Sequence, residues 1–108
     1  MLDEETHYRV LRLLSANPEI SQRDLARELG ISLGKVNYCV KALVQRGWVK
    51  VTNFKNSRNK VAYTYLLTPR GIEHKGRLTM QFLRAKAQEY EALRTEIQQM
   101  RLETERQK

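Results

Sequence analysis

The chain contains one cysteine, Cys39, so it can form no internal disulfide, and that usage fits a reducing cytosol. Its 108 residues include only two histidines, and neither a Cys-x-x-Cys nor a His-Glu-x-x-His spacing occurs. The five glycines form no phosphate-cradling loop. No catalytic residue, metal or cofactor is therefore expected. Apolar runs last only a few residues, far below the ~20 that cross a bilayer, so a membrane helix is excluded. The segment Met1 to His7 is acidic and has no apolar core, so no signal peptide is expected and the protein is placed in the cytoplasm, at the nucleoid. Hydrophobic residues make up 41%, enough for a modest core and too many for a disordered chain. The length fits one domain with no second full core.

Negative charge is missing where it matters most. Between Leu29 and Ile72 there is no acidic residue, while Lys35, Lys41, Arg46, Lys50, Lys55, Arg58, Lys60 and Arg70 are all basic. The formal net charge of the whole chain is +8. A basic stretch of this kind attracts a polyanion, and duplex DNA offers a charge every ~1.7 Å of axis.

Local patterns divide the chain into elements. His7, Val10, Leu11 and Leu14 recur at helical spacing, which predicts a helix over 4–16 with His7 in the core, and Asn17-Pro18 stops it. Ser21-Gln-Arg-Asp24 resembles a capping box and opens a second helix that ends at Gly30. Ser32 caps a third helix running to about Arg46, with Val36, Cys39, Val40 and Leu43 as its buried stripe. Cys39 reads as a small buried hydrophobe rather than a redox sensor. The period then changes. Residues 48–52 and 61–67 alternate like strands, separated by a polar, cationic loop over 53–60. Thr68-Pro69 starts a last helix, with threonine as cap and proline in the first position. That helix continues to about Leu102, ~50 Å at ~1.5 Å per residue, and a bend near Gly71 and Gly76 fits the pattern.

Two short helices joined by a tight glycine turn make a helix-turn-helix. Ala26 is small where the second helix crosses. Leu25, Leu29, Ile31, Val36 and Cys39 set the crossing angle. The second of the two helices then exposes Leu33, Gly34, Lys35, Asn37, Tyr38, Lys41 and Gln45, with Ser32 at its start. The N-terminal part of such a helix reaches base edges in the major groove. Lys35 suits guanine O6/N7 and Asn37 suits adenine N6/N7. Tyr38 suits a thymine methyl or a phosphate, and Lys41 and Gln45 suit phosphates. Gly34 permits close approach of the backbone. The two strands form a wing, with Arg58 at the loop tip for a narrow minor groove and Lys55 and Lys60 beside it for phosphates.

The order of elements, with Ile20-Ser-Gln-Arg-Asp-Leu-Ala-Arg-Glu-Leu-Gly-Ile-Ser32, Val40-Lys-Ala-Leu-Val-Gln-Arg-Gly-Trp-Val49 and Leu67-Thr-Pro-Arg-Gly71, resembles the MarR-type winged helix regulators. In overall similarity it resembles their short members associated with bacterial exopolysaccharide loci. The resemblance implies a bacterial dimeric transcription factor, usually a repressor. It implies base contacts from Lys35, Asn37 and Tyr38 and a wing contact from Arg58. The chain is shorter than the fuller family pattern, and a small-molecule effector is left open.

The expected fold is mainly α (α+β): a winged helix-turn-helix domain over 1–68 and a long C-terminal dimerisation helix over 69–108. In that helix Tyr90, Leu93, Ile97 and Met100 occupy successive a, d, a, d positions. Leu83 is the preceding a, Lys86 interrupts at d, and Ala87 beside it is apolar. Opposite charges pair along the helix, Glu91 with Arg94 and Arg101 with Glu105. These six apolar residues are expected to form a homodimer interface. The expected partners are double-stranded DNA, read as a palindrome, and a second copy of the chain. An adaptor that meets an acidic protein through the basic face, and an RNA-binding module, are the alternatives. Sequence selectivity for duplex DNA separates them.

Overall fold

The computed structural model describes residues 4–55 and 61–107, with the side chains of 54, 55 and 61 outside that description. The element order is α1 (Glu4–Ala16), α2 (Gln22–Leu29), α3 (Leu33–Gln45), β1 (Val49–Lys55), β2 (Val61–Leu67) and α4 (Pro69–Arg106).

Helix α1 buries His7, Val10, Leu11 and Leu14, the stripe read from its spacing. Past it, Pro18 presents its carbonyl to the Tyr65 amide at 2.8 Å, which seats the α1–α2 connection along β2. The Ser21 hydroxyl accepts the Asp24 amide at 3.0 Å and starts α2. Gly30 stops it in the left-handed region at φ 68°, and the Ile31 amide returns to the Ala26 carbonyl at 3.1 Å. The chain re-enters helix at once, because Ser32 accepts the Lys35 amide at 3.1 Å. Gly47, at φ 75°, closes α3, and the Trp48 amide reaches back to Leu43 at 3.0 Å.

Leu11, Leu14, Leu25, Leu43, Val10, Val36 and Cys39 are wholly buried and form the centre of the core. Cys39 is thus a packing residue, as its place on the stripe predicts. Strands β1 and β2 pair antiparallel with Val49 opposite Leu67, Val51 opposite Tyr65 and Asn53 opposite Tyr63. Two expectations are corrected here. Trp48 precedes the strand instead of starting it, because its backbone is used in the α3 cap. Residues 53–55 are strand and not loop, because the ladder to 61–63 holds them despite their polarity.

Helix α4 opens on Thr68. Its hydroxyl accepts the Gly71 amide at 3.0 Å and donates to the Gly47 carbonyl at 2.5 Å, while its amide donates to Trp48 at 3.0 Å. Gly71 lies so close to Trp48 that a Cβ there would fall on the Trp48 carbonyl oxygen. The helix runs on to Arg106, a turn beyond the expected end near Leu102. The chain forms two compact units, Met1–Leu78 and Thr79–Lys108. The first takes in the opening turns of α4, where Gly71 and Leu78 are buried. In the second, every described side chain from Leu83 onward is exposed.

Candidate nucleic-acid interface

Leu25, Leu29, Val36 and Cys39 are buried, and Ala26 and Ile31 half-buried, so the α2–α3 corner packs as its spacing predicts. With one face of α3 committed to the core, the opposite face is solvent-facing by helical periodicity. Leu33, Gly34, Lys35, Tyr38, Lys41 and Gln45 are exposed there, with Tyr38 61% accessible. Ser32 stands at the helix start, its hydroxyl engaged by the Lys35 amide. That hydrogen bond caps the turn that carries Lys35.

Asn37 differs from its neighbours. It is half-buried, and its Nδ2 donates to Gln22 Oε1 at 3.1 Å. Gln22 Nε2 in turn donates to the Tyr65 hydroxyl at 3.2 Å. This chain of hydrogen bonds ties α3 to α2 and to the wing. It fixes the Asn37 amide while leaving its carbonyl oxygen and second amide hydrogen for another partner. Gln22 and Tyr65 carry no local sequence signal for this role, since the two lie 43 positions apart. Two grooves of about 700 and 620 Å³ flank α3, and both are lined by Gln22, Asn37, Tyr63 and Tyr65. Tyr63 and Tyr65 project on one face of β2 with ring centroids 6.4 Å apart.

The wing residues expected to touch the nucleic acid are placed less fully. Lys55 ends β1, but its side chain lies outside the described residues, as do Arg58 and Lys60 altogether. Lys50 on β1 is exposed.

At the other end of the sheet, Trp48 gathers a cluster that the sequence did not advertise. His74 of α4 stacks on it at 3.6 Å between ring centres and 18° between planes. His7 of α1 meets its edge at 6.5 Å, and the Arg46 guanidinium lies 5.2 Å from its centroid. Burial lowers the His74 pKa below its ordinary value, and electrostatic interaction with Arg77, His7 and Arg46 adds to this, while Glu4 opposes it. Lys75 Nζ donates to Ser15 Oγ at 3.3 Å and also joins α4 to α1.

In the second unit Leu83, Ala87, Tyr90, Leu93, Ile97 and Met100 are all exposed. Arg94 pairs with Glu91 at 3.9 Å and Lys86 with Glu89 at 3.5 Å, loose i,i+3 contacts on open helix surface. Among the described residues, no group of three or more His, Cys, Asp or Glu could hold a metal ion, and no helix is long and apolar enough to cross a membrane.

Residues 3–50 match the family model for a winged helix-turn-helix DNA-binding domain. The first unit is a winged helix. Solved structures agree with this. The adhesin competence repressor of Streptococcus pyogenes superposes with a TM-score of 0.68 at 24% identity, over 87% of this chain and 67% of that one. A MarR/EmrR family transcriptional regulator from Acinetobacter sp. ADP1 gives 0.66 at 24% identity, over 80% and 59%. A MarR family protein of Mycobacterium tuberculosis, in complex with salicylic acid, gives 0.62 at 24% identity, over 77% and 60%. The chain thus spans between 59% and 67% of the lengths of these three. No curated protein matches it by sequence. In this fold α3 is the second helix of the helix-turn-helix and β1–β2 are the strands of the wing.

Proposed function

We propose that this chain is a sequence-specific DNA-binding transcriptional regulator, a repressor, which reads a palindromic operator as a homodimer. One observation carries this reading. The recognition helix presents Lys35, Tyr38, Lys41 and Gln45 to solvent, in a stretch of 44 residues without a carboxylate. Lys35 reads guanine, and Asn37, braced by Gln22, offers adenine the donor and acceptor it requires. Lys41 and Gln45 hold phosphates. Gly34 brings the backbone close to the groove, and a Cβ there would meet nothing within 4 Å in the protein itself, so no internal contact demands glycine. We also assign Lys55 and Lys60 to phosphates and Arg58 to the minor groove, side chains that lie outside the described residues. The α4 stripe from Leu83 to Met100 joins two copies, which sets half-sites about one helical turn apart. One of the solved structures that share the fold is named a repressor, and this supports the direction of control.

Selection of binding sites from random DNA duplexes at near-physiological salt tests the reading. The expected product is a palindrome with half-sites ~34–36 Å between centres. Promoters of exopolysaccharide loci are the first to search with it. Lys35→Ala is expected to cost about 1–3 kcal/mol of affinity and to relax the preference at one base pair per half-site. A folded protein that enriches no sequence would reject the proposal in favour of an adaptor role.

A further inference from the structure

The exposed stripe of α4 carries a second pattern that decides how two copies meet. In the heptad frame with Leu83, Tyr90 and Ile97 at a, and Leu93 and Met100 at d, the flanking positions from Glu89 to Glu103 are sorted by charge. Position g holds Glu89, Glu96 and Glu103, and position e holds Arg94 and Arg101. In a parallel, in-register pair each g residue faces the e residue five positions further along the partner helix. That sets Glu89 against Arg94 and Glu96 against Arg101, each twice by symmetry. In an antiparallel pair g faces g and e faces e, which sets glutamate against glutamate and arginine against arginine.

We propose that residues 87–104 form a parallel, two-stranded coiled coil with a second copy of this chain, its polarity set by these Glu–Arg ladders. The inference rests on the homodimer reading above and adds its orientation and register. Ile97 at a beside Leu93 at d is the combination that favours two parallel strands. The flanking charges are free to pair across the seam. Glu89 and Arg94 are held within their own helix only by the 3.5 Å and 3.9 Å surface contacts to Lys86 and Glu91. Gross charge points the other way, since Arg84 and Lys86 precede the acidic half of the helix. But Arg84 and Glu105 fall at b, away from the seam, where salt screens them, and Lys86 at d precedes the segment 87–104, while e and g border the seam directly. A parallel seam also brings the two Thr79 ends out side by side.

Thr104 stands at the a position after Ile97, with its hydroxyl turned back to the Met100 carbonyl at 3.0 Å. Thr104→Cys in the full chain tests the polarity, since only a parallel, in-register pair brings both copies of this position together. Mild oxidation should yield a disulfide-linked dimer. The parent should stay unlinked, because its one cysteine, Cys39, is buried. A dimer in sedimentation that does not cross-link would overturn the parallel register and leave the homodimer standing. A monomer in sedimentation would overturn both. The charge ladder is tested separately by the double variant Glu89→Lys/Glu96→Lys. Its dimer dissociation constant should rise about tenfold or more at low salt and approach the parent's near 1 M salt, where the Debye length is about 3 Å. An unchanged constant at low salt would overturn the ladder.

Discussion

Two glycines five positions apart in α4 have opposite consequences at the scale of single residues. A Cβ on Gly71 would collide with the Trp48 carbonyl, an atom of the main chain that cannot swing aside. Gly71→Ala should therefore destabilise the fold by about 1–3 kcal/mol, toward the upper end for overpacking. Gly76 is exposed in the same helix, and a Cβ there meets nothing within 4 Å. Gly76→Ala should stabilise by about 0.8–1 kcal/mol, the difference in helix propensity. Urea unfolding of the two variants beside the parent measures both, and equal shifts would contradict the close approach. Residue-scale reading of the sequence placed the exposed face of α3 well, because periodicity alone dictates which positions point away from a core. It did not foresee that Asn37 is tied through Gln22 to Tyr65. Neither hydrogen bond is local: the first spans 15 positions and the second 43.

The helices were more legible than the strands at the scale of elements. Each helix carries its own start and stop signals within a few residues, such as Ser21 and Gly30 or Ser32 and Gly47, and hydrogen bonds inside it complete the account. A strand depends on its neighbour. Asn53 and Lys55 have little intrinsic preference for β structure, yet they are strand because Tyr63 and Val61 stand opposite. The junction of α1, β1 and α4 is also a matter of elements, and its chemistry responds to pH. His74 is held below its ordinary pKa of 6.5 chiefly by burial, with Arg77, His7 and Arg46 reinforcing the effect and Glu4 opposing it. As pH falls through 6.5 the unfolded chain takes up this proton before the folded one does. The neutral ring's contribution is therefore whole above that pH and shrinks as the solution is acidified toward the lowered folded value. The melting temperature of the parent should fall more between pH 7.5 and 5.5 than that of His74→Gln. Parallel losses in the two would exclude the Trp48–His74 stack as the source.

At the scale of the whole molecule, the first unit closes on its own core by Leu78, while the second is a helix whose apolar stripe faces solvent. The proposed homodimer would cover the exposed Tyr90, Leu93, Ile97 and Met100 across a two-fold axis. A chain ending at Leu78 should stay folded, sediment as a monomer and bind operator DNA weakly, because one half-site then contributes at a time. The full chain should lose affinity steeply with salt, with a log–log slope of roughly −0.9 for each phosphate neutralised. A truncated chain that sediments as a dimer would place the interface within the first unit instead.

The sequence by itself determined where the helices start and where the first three stop, the helix-turn-helix corner, the basic stretch and the heptad stripe. Each of these is written in spacings of a few residues, which the helical repeat converts directly into a face. Only the tertiary structure decided why glycine stands at 71, which side chains brace Asn37, and how His7, Arg46 and His74 share Trp48. Those contacts join residues brought together by packing and not by sequence order. Their distances are set by the crossing of whole elements, which no local pattern of residue types encodes.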